Sequence, residues 1–97
     1  DGYNGYLDFL DKNFVRGWAR SIYNEIPIGI DIYVNDLKVA SITANDFRED
    51  LVKHHASNSG LHGFSYKFDE PLESRSNVSV RVVNTDLDLI SSPKLFE

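Results

Sequence analysis

The chain has no cysteine and no methionine among its 97 residues. Without thiols there is no disulfide framework and no thiolate metal site, so stability has to come from a packed core. Without methionine no initiating residue is represented, and we expect a domain cut from a longer protein. The opening Asp1-Gly2-Tyr3 shows none of the basic, apolar and small-residue pattern of a secretory leader. Long apolar runs are missing too. The most apolar stretch, residues 26–34, is too short to cross a bilayer and contains Asp31, so no membrane insertion is expected. Basic residues are scarce: 10 Lys and Arg stand against 15 Asp and Glu, a formal net charge of -5. Phosphate backbones and anionic headgroups attract basic surfaces, which argues against nucleic acid and against a membrane surface as partners.

What is present is ordinary for a globular domain: 41% hydrophobic and 26% charged residues, enough for one modest core over residues 1–97. Short stretches rich in β-branched and aromatic residues recur between turn residues. Strands are expected at 5–10, 14–21, 26–34, 37–43, 63–69, 77–84 and 87–90. In the third, Ile28, Ile30, Ile32 and Val34 alternate with Gly29, Asp31 and Tyr33, which puts the aliphatic row on one face. Asn35-Asp36 tolerates the positive φ of a tight primed turn and predicts a hairpin to the fourth strand. Between 45 and 55 the period changes. Asp46 with Glu49 suggests a capping box, and Phe47 with Leu51 share a helical face, so a helix of about two turns is expected. Ser91-Ser92-Pro93 should end the pattern, because proline cannot donate to a ladder. About seven short strands and one short helix predict an all-β antiparallel sandwich, with a small barrel as the alternative.

Chemistry is thin. His54 and His55 are adjacent and would point apart on a helix, and His62 lies beyond a loop, so no metal site or cofactor is expected. Asp86 and Asp88 share a strand face but no calcium loop surrounds them. There is no Gly-x-Ser-x-Gly elbow, and Asp69 and Glu70 would face opposite ways on a strand, so no enzyme is expected.

Gly5-Tyr6-Leu7-Asp8, Val15-Arg16-Gly17-Trp18-Ala19, Ile32-Tyr33-Val34-Asn35-Asp36, Arg48-Glu49-Asp50-Leu51 and His62-Gly63-Phe64 follow one another, and a valine strand and Ser92-Pro93 close the chain. In that order they resemble the small immunoglobulin-like sandwich module found beside glycosyltransferase and polysaccharide-related domains in bacterial multidomain proteins. The chain departs from that pattern after Ala19, where Arg20-Ser21-Ile22-Tyr23 replaces an acidic or second aromatic residue. The resemblance implies an immunoglobulin-like fold and a non-catalytic spacer or docking role in a bacterial cytoplasm or envelope, with neighbouring domains of the same chain as partners. It carries no binding residues with it.

The single tryptophan is the most informative position. Alternation places Trp18 with Arg16 and Arg20, opposite Val15, Gly17 and Ala19. Taken literally, the indole lies on an exposed face between two donors, a platform for sugar rings, and Tyr33 is a second exposed aromatic. The competing expectation, which we prefer at this point, is a core tryptophan reached through a bulge that shifts the register. A glycan partner through Trp18, Arg16, Arg20 and Tyr33 is therefore the alternative to a purely architectural role.

Overall fold

The computed structural model describes residues 2–97 and is an all-β sandwich. Eight strands and one short helix follow the chain: β1 Tyr3–Leu10, β2 Phe14–Ser21, β3 Ile28–Val34, β4 Leu37–Ala44, β5 Asp46–Phe47, α1 Glu49–Lys53, β6 Leu61–Lys67, β7 Ser76–Val82 and β8 Lys94–Phe96. They form two antiparallel four-stranded sheets, ordered β1-β2-β6-β5 and β4-β3-β7-β8. The faces turned toward each other carry the core. Leu7, Val15, Ala19 and Phe64 come from the first sheet, and Ile30, Ile32, Val78, Val80 and Val82 from the second. The alternating aliphatic row of β3 thus does what its spacing predicts.

The hairpin is where the sequence puts it. Asn35 and Asp36 both have positive φ, 50° and 68°, the backbone of the primed turn that suits the strand twist. Asn35 also ties the turn to β7, its Oδ1 accepting from the Asn77 backbone N–H at 2.8 Å.

Three expectations are corrected. The helical segment is shorter than residues 45–55. Asp46 pairs with Gly63 as part of β5, so it is not available as a cap, and the helix starts after Arg48 without a side-chain capping bond. Phe47 accordingly stays exposed, and only Leu51 of that pair is buried. Residues 87–90 make no regular strand. They contribute isolated bridges, Tyr6 with Ile90 and Arg81 with Asp88, and bury Leu89. The pattern does not stop at Pro93: β8 follows it and pairs with the start of β7. Proline precedes the ladder and so costs it no donor.

The preferred placement of Trp18 in the core is corrected as well: the indole lies outside the core cluster and is half-buried. The register of β2 runs without a bulge from Phe14 to Trp18 along β6, so strict alternation holds and keeps the indole on the outer face. Its absence from the core is made good by Phe64. A Cβ on Gly17 would stand 2.7 Å from the Phe64 Cζ atom and 2.0 Å from the Tyr6 carbonyl oxygen, so the phenyl ring fills the space that Gly17 leaves.

Two bulges break the ladders. In β1, Leu7 faces Gly17 and Phe9 faces Arg16, which leaves Asp8 as the extra residue. In β4, Ala40 faces Ile32 and Lys38 faces Tyr33, which leaves Val39 as the extra residue. Bulges re-aim side chains, and both of these point at grooves described below. The sheet edges differ. Along β1, Leu7 N–H donates to the Ile90 carbonyl and Ile90 N–H to the Gly5 carbonyl. β5 and β8 are short. Among the described residues, only β4 is a long edge strand without an outer neighbour.

Candidate functional site

The outer face of the first sheet is built by the register. Tyr6, Trp18, Gly63 and Asp46 stand in one row across β1, β2, β6 and β5, with Phe9 and Arg16 in the next row. Gly63 has no side chain, and the stem of Arg48 runs over it: a Cβ there would meet Arg48 Cγ at 2.8 Å. The Arg48 guanidinium reaches the bulged Asp8 at 2.6 Å and Asp50 at 2.7 Å. This strap joins the far end of the sheet to β1. Partial burial works against the Arg48 charge, but the carboxylates of Asp50 and Asp8 more than offset it and raise its pKa, while the Arg48 hydrogen bond lowers that of Asp50. Beside the strap runs a groove of about 350 Å³, lined by Asp8, Phe9, Arg16, Asp46 and Arg48 among others. Arg16 is braced between two rings, its guanidinium carbon 5.3 Å from the centroid of Phe9 and 5.1 Å from that of Phe14. It has no carboxylate partner among the described residues, so its donors face the groove's solvent. Tyr6 and Phe9 are each 41% exposed.

Of the four residues singled out from the sequence, the fold brings Arg16 and Trp18 together on this face. Arg20 shares their strand, but its guanidinium is already committed. It pairs with Glu25 at 3.0 Å and donates to the carbonyls of Ser21, Asn24 and Ala56. Tyr33 lies on the other sheet, under the Arg81 guanidinium at 5.2 Å from its centroid, and belongs to a separate surface. Asp8, Phe9 and Arg48 were missed as site residues. Alternation gives no warning of the Asp8 bulge, and nothing local to Arg48 says that its stem will cross a glycine of β6.

A second polar cluster sits at the α1 end. Glu25 Oε1 accepts from Ser57 Oγ at 2.7 Å, from Ser59 N–H at 3.0 Å and from Ser59 Oγ at 2.9 Å, and lies 3.2 Å from His62 Nε2. These bonds, that of Ser57 first, hold the Glu25 carboxyl well below the usual carboxylate range. His62 is fully buried, and its Nδ1 has no partner among the described residues. The combination of serines, histidine and glutamate invites a nucleophile reading, but both hydroxyls donate to the carboxylate and neither to the imidazole. A serine nucleophile needs a base that takes its proton. The cluster instead pins the 22–27 and 57–60 loops to β6. His54 and His55 are exposed at the end of α1, and among the described residues no three His, Asp or Glu side chains gather as metal ligands.

Comparison with known proteins gives no match: no family model, no curated protein and no solved structure is significantly similar to this chain.

Proposed function

We propose that the chain is a non-catalytic accessory module of a larger glycan-related protein, and that the outer face of the β1-β2-β6-β5 sheet is its contact surface for a glycan. The observation that carries this reading is the groove along the Arg48–Asp8 strap, where the exposed Phe9 ring stands next to the Arg16 guanidinium, which has no acidic partner among the described residues, with Tyr6 and Trp18 in the adjoining row of the same face. Sugar rings offer C–H faces to aromatic side chains and hydroxyls to fixed donors and acceptors. Sites of this kind combine an apolar floor with a few placed polar groups. Asp8 and Arg48 are held by each other and Arg16 by its two rings, so little ordering remains to be done on binding. The resemblance to modules beside polysaccharide-related domains supports the accessory role and says nothing of the contact face.

The test is tryptophan fluorescence titrated with an oligosaccharide panel, since Trp18 is the only indole. Emission should shift with at least one glycan, and Arg16→Ala should weaken that response about tenfold, the equivalent of one lost charged hydrogen bond. Trp18→Ala should fold, because the indole is outside the core, and should abolish binding as read by titration calorimetry, since the variant has no indole left to report it. Indifference to every sugar, or a Trp18→Ala chain that unfolds, defeats the proposal. In the first case the exposed Phe47 and Leu61 at the β5–β6 edge favour the second reading, a docking surface for a neighbouring domain of the same chain.

A further inference from the structure

The end of the sandwich opposite α1 is open. There a cleft of about 370 Å³ lies between the β3–β4 hairpin and the loop from β6 to β7. Its size falls in the ~300–1,000 Å³ range of small-molecule sites. Its floor is an extension of the core: Val34, Tyr66 and Leu72 pack against the buried cluster, and Phe68 belongs to it. The bulge at Val39 adds another aliphatic side chain, which stays 40% exposed and lines the same cleft.

The charged groups lining this cleft are all of one sign. Asp69, Glu70 and Glu73 line it, and no Lys, Arg or His does. None of the three carboxylates has an ion-pair partner among the described residues. The nearest cations along the chain, Lys67 and Arg75, do not reach them. The field of this rim is felt on the floor: burial, with the charge of Asp69, pushes the Tyr66 hydroxyl up from its ordinary pKa. An anion entering the cleft would be repelled. A neutral apolar molecule would use only the floor. A cation on an apolar body would use both, with the body on the Val34, Tyr66 and Leu72 surface and the charge among the exposed carboxylates of the rim.

We infer that this cleft is a binding site for a small organic cation, an ammonium or guanidinium group carried on an apolar body. It is independent of the glycan face, which lies on the outer surface of the first sheet.

Three probes of one shape and different charge test it on the full chain: phenethylammonium, phenethyl alcohol and phenylacetate, followed by backbone amide shifts. The cation should give saturable shifts confined to residues 34–39 and 66–76, and phenylacetate should give none. The alcohol should bind about tenfold or more weakly than the cation, as expected for loss of a charge-assisted contact. The double variant Asp69→Asn, Glu73→Gln should weaken the cation about tenfold while leaving the alcohol unchanged, and the retained alcohol binding shows that the cleft is still folded. Equal binding of alcohol and cation, or cation shifts that map elsewhere or fail to saturate, would overturn the inference.

Discussion

At the scale of single residues, Glu25 gathers more hydrogen bonds than any other carboxylate among the described residues. Its carboxylate collects a hydroxyl, a backbone amide, a second hydroxyl, an imidazole and a guanidinium from three segments. Its pKa is depressed below the ordinary carboxylate value of 4.5. The unfolded chain therefore takes up a proton before the folded one does, and stability falls as the pH drops below about 4.5 toward the folded pKa. The midpoint of thermal unfolding, measured between pH 3 and pH 7, should decline on acidification, and Glu25→Gln should flatten that decline while lowering the plateau at neutral pH. A variant with the wild-type slope would remove Glu25 from this role. Gly17 offers a steric counterpart. A methyl group there collides with the Tyr6 carbonyl and with Phe64, so Gly17→Ala should cost ~1–3 kcal/mol in urea unfolding as an overpacked core does. Residue-scale chemistry was only partly legible. Alternation put Arg16 and Trp18 on one outer face and the small Gly17 and Ala19 inward. It could not show that Arg20 bends back to Glu25 and Ala56, nor that Glu25 meets a histidine 37 positions away, because such partners are chosen by the sheet topology and not by local pattern.

At the scale of elements, the β3–β4 hairpin is the segment in which local preference and tertiary demand agree. Asp36 sits at φ 68°, a conformation that costs L residues about 1–2 kcal/mol and glycine nothing. Asp36→Gly should leave stability unchanged or raise it by up to ~1 kcal/mol, after glycine's own entropic cost, and Asp36→Val should lower it by ~1–2 kcal/mol. Guanidinium titration of the three proteins decides the order. The helix and the last strands read less well, for one shared reason. Asp46 has the chemistry of a helix cap but is captured by Gly63, and residues 94–96 have little strand character of their own but find a free edge on β7. Two- and three-residue strands are made by their neighbours, so their own sequence carries little trace of them.

At the scale of the whole molecule, the fold depends on pairs that are far apart in the chain. β2 waits for β6 and β3 for β7, and each closes a long loop before any core forms. Such topologies fold in milliseconds to seconds. Stopped-flow refolding followed through Trp18 should therefore be far slower than the microseconds of a helical bundle, and faster folding would mean that part of the sandwich forms independently. The sandwich itself was legible, because the aliphatic rows of β3 and β7 need a second sheet to cover them. The two grooves were not, because each depends on a bulge residue that a strict alternation passes over. The unequal edges have a further consequence for crowded solutions. Among the described residues β4 is the one long ledge with no outer neighbour on which another copy could lay a strand, and a two-fold pairing through it uses the ledge of both partners at once. Further growth then meets poorer templates, because β5 and β8 are short and β1 is tied at Gly5 and Leu7 to Ile90.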